Sequence, residues 1–207
     1  MTQTFKDIMT GRRSVRSFDP EVKISREEME EMINEAVLAP SAVNLQPWRF
    51  VVVDSPEGKE KLQPLVRFNS LQNETSAAMI LIFGDTKPQE YAEAIYNKAV
   101  EEGKMPPEVR DKQLAAIVPM YDNASEQVMR DTVHIDASLV AMQLMLVART
   151  HGYETNAMTG FDKEHLAETF DLDPERYLPI MILAIGKAKE EGYPSVRLDA
   201  KEITSFR

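Results

Sequence analysis

In the stretch "SREEMEEMINEAVLAP", the apolar positions Met29, Met32, Ile33, Ala36 and Val37 recur with helical spacing and fall on one face. Ser25 and Glu28 stand three apart, as in a capping box, and Pro40 closes the segment. The pattern then changes. "WRFVVV" at 48–53 is a short apolar, β-branched run stopped by "DSPEG", and "AMILIF" at 78–83 and "LPIMILAIG" at 178–186 read the same way, which predicts buried strands. Between them, helical patterns run over about 88–102, 107–118 and 124–151, with Gly152 as a terminator of the last. The second half of that last helix, "IDASLVAMQLMLVA", is apolar on almost every face, which predicts burial all round, inside the domain or at a subunit interface. "ETNAMTGFD" at 154–162 predicts a strand and turn, with Asp162 capping a helix through Phe170. Buried strands among many helices give an α+β protein, or an α/β protein with a covered sheet.

Composition narrows the function classes. A chain of 207 residues with no repeat, low-complexity stretch or linker is expected to form a single domain over 1–207. Its net charge of -10 argues against nucleic-acid binding and against attraction to anionic lipid. The absence of cysteine removes disulfides, thiolate metal sites and a catalytic thiol, and His134, His151 and His165 lack metal-ligand spacing. The first residues lack the apolar core of a signal peptide, and "LVAMQLMLVA" at 139–148 is interrupted by Gln143 and falls short of the ~20 residues of a membrane span. The expected location is the cytoplasm.

Two stretches carry candidate chemistry. In "GRRSVRSF", Arg12, Ser14 and Arg16 alternate, so an extended segment would point them the same way. Guanidinium forks with a hydroxyl suit a phosphate dianion. The 8 glycines form neither G-x-G-x-x-G nor G-x-x-x-x-G-K-[ST], so side chains would have to hold any phosphate. A solvated charged face or an acidic partner explains the same cluster. Between Pro40 and Pro47, Ser41, Asn44 and Gln46 are polar groups joining two buried elements. They can satisfy turn and helix-end backbone groups, or read the edge of a heteroaromatic ring; both readings stay open. Ser138, His134 and a nearby aspartate share one helix, a poor arrangement for a nucleophile and its base, and no G-x-S-x-G is present. No catalytic side chain is assigned.

Taken in order, "RRSVRSF", "APSAVNLQPWRFVVV", "GYETNAMTGFD" and "IGKAKEEGYPSVR" resemble the nitroreductase family of FMN-dependent NAD(P)H oxidoreductases, particularly a small bacterial branch, over residues from about 5 to 200. The resemblance implies an α+β fold with a central, mostly antiparallel sheet covered by helices, in a homodimer with FMN at the interface. It implies that Arg12 and Ser14 face the FMN phosphate and ribityl chain with Arg13 alongside, and that Arg197 adds a second guanidinium. Arg16 would lie at the pyrimidine end of the ring, where positive charge favours the reduced anion. Pro40, Ser41, Ala42 and Asn44 would reach the flavin of the other subunit, with Gln46 supporting that loop. Asn69 would meet the ring's polar edge, and the turn of Met158, Thr159 and Gly160 would bring backbone N–H groups of Thr159 and Gly160 near N5.

The chain departs from the family pattern at two places. Ser195 stands where a lysine is common, which weakens phosphate charge compensation, and Thr159 stands where many relatives have glutamate. The implied activity is ping-pong transfer of electrons from NAD(P)H to nitroaromatics, quinones or similar acceptors. The flavin carries that chemistry, so neither a metal nor a catalytic side chain is needed. The alternatives are a specialised, dehalogenase-like member and a non-catalytic flavin- or anion-binding module.

Overall fold

A computed structural model describes residues 4–207. The chain opens with α1 (Phe5–Gly11), capped by Thr4 and Asp7 in a reciprocal capping box, and continues through an extended segment to α2 (Arg26–Ala36). In α2, Ser25 Oγ accepts the Glu28 N–H, and Met29, Met32 and Ala36 are buried, in keeping with the sequence periodicity. Strand β1 (Trp48–Val53) leads to the short helices α3 (Pro56–Leu62) and α4 (Ser70–Thr75), neither of which the apolar pattern signalled. After β2 (Ala78–Asp85) come α5 (Ala92–Glu101), α6 (Pro107–Asp122) and the 25-residue α7 (Glu126–Thr150). Strand β3 (Glu154–Met158), α8 (Leu166–Thr169), β4 (Tyr177–Gly186) and α9 (Ala200–Ile203) complete the order. Asp162 Oδ1 accepts the N–H groups of Glu164 and His165, so it caps the turn before α8, and that helix is one turn long rather than running to Phe170.

The four strands form one sheet in the order β1-β2-β4-β3, antiparallel throughout. This is the α+β architecture. Strand β2 lies at the centre and is buried along its whole length. Its alternating side chains enter two different cores: Ala78, Ile80 and Ile82 face α2 and α7, while Met79, Leu81 and Phe83 face the opposite layer with Phe18, Leu62 and Leu166. A bulge at Ile180 shifts the register against β2, so Ile180 and Leu183 both enter the α2–α7 core despite their odd spacing. Helix α7 approaches β2 so closely that a Cβ at Gly84 would stand 2.9 Å from Val133.

Within the protomer α7 is buried on one face only, so burial inside the domain does not account for all of its apolar positions. Its inner face, including Val133, Ala137, Val140, Leu144 and Ala148, is core. Ile135, Leu139 and Met142 are 62%, 42% and 38% exposed, and their i, i+4, i+7 spacing makes them a single apolar stripe. By length and composition α7 is also long and apolar enough to cross a bilayer, which the run at 139–148 alone did not reveal. In this fold its inner face lies along the sheet.

Candidate functional site

The arginine cluster leaves α1 at Arg12, whose extended backbone (φ -60°, ψ 130°) ends the helix. Residues 14–18 then lie along the β3 edge: Ser14 bridges Thr155 in parallel, and Val15 N–H donates to the Thr155 carbonyl at 3.1 Å. Alternation follows. Val15 is buried in the core, while Ser14 and Arg16 point outward.

Outside this edge run two depressions that share Ser14 and Ala157 as a common wall. One, about 580 Å³, is lined by Arg12, Arg13, Ser14, Met145, Ser195 and Arg197. The other, about 370 Å³, is lined by Arg16, Phe68, Asn69, Gln72 and the turn from Met158 to Gly160. Arg12 and Arg197 border the same depression although 185 positions separate them in sequence, so only the fold brings them together. Among the described residues, no carboxylate forms an ion pair with Arg12, Arg16 or Arg197, in contrast to Arg49, Arg149 and Arg176. Three guanidiniums without counter-ions beside one groove, in a chain of charge -10, suit an anionic ligand.

Arg13 behaves differently. Its guanidinium turns back to the carbonyls of Thr10 and Arg12, each at 2.9 Å, and so closes the end of α1. Its stem packs against Gly192, where a Cβ would come within 2.4 Å of Arg13 Cβ. Under the cluster lies a polar layer that sequence reasoning missed: Arg149 donates to the Gly11 carbonyl at 3.0 Å and pairs with Glu154. The only signal was a basic residue ending an apolar helix, five positions before an acidic one.

At the far end of the groove, Asn69 Nδ2 donates to the carbonyls of Val66 and Gly160, each at 3.1 Å, and its Oδ1 accepts from Gln72. Asn69 thereby ties its own segment to the exposed Thr159–Gly160 turn. A Cβ on Gly160 would meet nothing within 4 Å, so the space over this turn is open. Phe68 is almost wholly exposed at the rim, next to Arg67 in a left-handed conformation.

The loop from Pro40 to Gln46 lies elsewhere and lines neither depression. Val43, Asn44 and Gln46 all have positive φ, of 43°, 57° and 49°. For β-branched Val43 this is strained by about 1–3 kcal/mol, so the surroundings must hold it. Ser41 Oγ accepts the Gln46 N–H at 3.0 Å, Gln46 Nε2 reaches the Asn44 carbonyl, and Tyr96 OH donates to the Val43 carbonyl at 2.9 Å. Ala42 N–H donates to Asp136, a residue of α7. Val43 and Asn44 instead border an apolar cavity of about 740 Å³ between α5 and α6. Within one protomer, then, the fold gathers Arg12, Arg13, Ser14, Arg16, Asn69, Met158, Thr159, Gly160 and Arg197, and leaves Pro40, Ser41, Ala42, Asn44 and Gln46 apart. Among the described residues no group of three or more His, Asp or Glu side chains could hold a metal.

Comparison with known proteins agrees with this architecture. The family model described as "Nitroreductase family" matches residues 9–187. The chain is 56% identical to YdgI of Bacillus subtilis, provisionally named an NAD(P)H nitroreductase, over 100% of this chain and 99% of that protein. It is 47% identical to the CLA biosynthesis enone reductase of Lactiplantibacillus plantarum, over 97% of this chain and 93% of that one. A crystal structure of a provisionally assigned nitroreductase from Exiguobacterium sibiricum, in complex with FMN, superposes with a TM-score of 0.96 at 53% identity over the whole of both chains. With the motifs, the fold and the whole-length matches in agreement, this chain belongs to the nitroreductase family.

Proposed function

We propose that this protein is an FMN-dependent NAD(P)H oxidoreductase that works as a homodimer, with one flavin site at each end of the shared interface. The observation that carries the reading is the groove itself: guanidiniums of Arg12 and Arg197 with no carboxylate partner among the described residues at one end, Arg16, Asn69 and the open Thr159–Gly160 turn at the other. The donor set fits FMN. Arg12 and Arg197 would take the phosphate, Ser14 the ribityl chain, and Arg16 and Asn69 the polar edge of the ring, with the N–H groups of Thr159 and Gly160 near N5. Bound FMN would supply the electron transfer, from NAD(P)H to an acceptor that enters after NAD(P)+ has left. The chain's own work is to bind the tail, orient the ring and keep one face open.

Two observations support the dimer. The Ile135, Leu139 and Met142 stripe leaves apolar surface exposed on the helix that forms the core. The strained loop at 41–46 carries polar groups that line neither depression of its own protomer, as expected if it completes the groove of a second copy.

Nitroaromatics and quinones are the acceptors that the family resemblance implies. A second reading, an α,β-unsaturated ketone as for the L. plantarum relative, is favoured by the apolar cavity beside Asn44, which suits a substrate with an aliphatic body. The test is direct. Purified protein should be yellow, NADH or NADPH should bleach it without oxygen, and a quinone or an enone should restore the colour. Colourless protein, or yellow protein that neither nicotinamide bleaches, would refute the oxidoreductase reading.

A further inference from the structure

Under the 41–46 loop lies a buried carboxylate without a counter-ion. Asp136 is 4% exposed, on the inner side of α7, and its Oδ2 accepts the Ala42 N–H at 3.0 Å. The other buried acid among the described residues differs: Asp85 is held by Arg49 and Arg176, and even the half-buried Glu154 is paired with Arg149. Among the described residues Asp136 has no such cation. Burial pushes its pKa up and the Ala42 N–H holds it down, while Tyr121 on α6 stands near enough to feel its charge. A lone buried carboxylate costs stability, and an apolar residue would fill the space without that cost.

What Asp136 touches suggests its use. Ala42 directly precedes Val43 and Asn44, the strained left-handed pair. Tyr96 holds this pair from α5 and Ser41 holds the loop to itself, and among the described residues only Asp136 hydrogen-bonds it to α7. Its neighbour Ile135 belongs to the exposed stripe on that helix. One residue thus connects the loop to the helix whose outer face would meet a second copy.

We propose that Asp136 is a positioning residue: by holding the Ala42 N–H it sets where Ser41 and Asn44 stand against the flavin bound by the partner subunit. The inference rests on the dimeric flavin site proposed above. Its effect is felt in trans, because the groove of the chain that carries Asp136 is completed by the other loop.

The experiment uses full-length FMN-loaded protein and the variants Asp136→Leu, Asp136→Asn and Ala42→Pro. The last removes the donor while leaving the carboxylate in place, and the extended Ser41 backbone (φ -140°, ψ 160°) accommodates a following proline. Asp136→Leu and Ala42→Pro should weaken FMN binding about tenfold or more and shift the visible flavin band. Asp136→Asn retains an acceptor oxygen and should recover most of the loss, which a merely space-filling role would not produce. Mixed dimers pairing an Asp136→Leu subunit with an Arg12→Ala/Arg197→Ala subunit should keep one site of wild-type spectrum and affinity. Wild-type affinity and spectrum in Ala42→Pro, or no recovery by Asp136→Asn, would overturn the proposal. Asn44→Ala separates the two levels. If it disturbs the flavin while Asp136→Leu does not, only the positioning role fails; if neither does, the shared site fails.

Discussion

Replacing Arg12 and Arg197 together by alanine tests the anion end of the groove. Both guanidiniums border the same depression, and neither is committed to a carboxylate among the described residues. Their loss therefore leaves no buried charge unpaired, and the fold should persist. A charge-assisted hydrogen bond is worth about 1.5–3 kcal/mol, with Arg12, half-buried, nearer the upper end and exposed Arg197 nearer the lower. Together they supply about 3–4.5 kcal/mol, so the FMN Kd should rise about 100- to 2000-fold. Fluorescence titration of apoprotein with FMN measures this, with circular dichroism and thermal melting as controls on the fold. Raising the salt should weaken wild-type binding more than that of the double variant. A double variant that folds normally and binds FMN within about threefold of wild type would refute the phosphate assignment.

Further expectations follow from other parts of the molecule. Leu139→Glu places a charge in the exposed α7 stripe and should leave a monomer of low flavin content, read by light scattering and the visible spectrum; a yellow dimer would count against that interface. Mixed dimers of an Asn44→Ala subunit with an Arg12→Ala/Arg197→Ala subunit should keep one intact flavin site, whereas two damaged or two normal sites would exclude a shared one. Gly84→Ala should destabilise the chain by about 1–3 kcal/mol in chemical denaturation, because the added methyl meets Val133 at 2.9 Å and neither α7 nor β2 can yield cheaply. His165 Nδ1 lies 3.0 Å from Asp162, and this contact raises the His165 pKa above 6.5. The resulting stabilisation is present below that value and lost as pH rises through the folded-state pKa. Asp162→Asn should lower the pKa in an NMR titration; an unchanged value would show that the contact is not made in solution.

The helix face of α2, the continuous apolarity of β2 and the alternation of Ser14, Val15 and Arg16 were legible in the sequence because each depends on a local period. The helices α3 and α4 were not, since they are short and packed on one side by residues distant in sequence. Motif resemblance named about half of the residues that line the groove, but not the Arg149–Glu154 layer or the Asp136 contact, which join positions without a shared pattern.

The sequence by itself determined the class of elements, the absence of thiol chemistry and, since it carries no glycine-loop motif, that side chains would have to hold any phosphate. Tertiary structure decided how the arginines are used, because Arg13 folds back on α1 while Arg12, Arg16 and Arg197 border the two adjoining depressions with no carboxylate ion pair among the described residues. It also separated the 41–46 loop from its own groove and left α7 exposed on one stripe. The reason is physical: periodicity reports which face of an element is apolar, but what covers that face, and which charges find partners, depends on residues brought together only by folding.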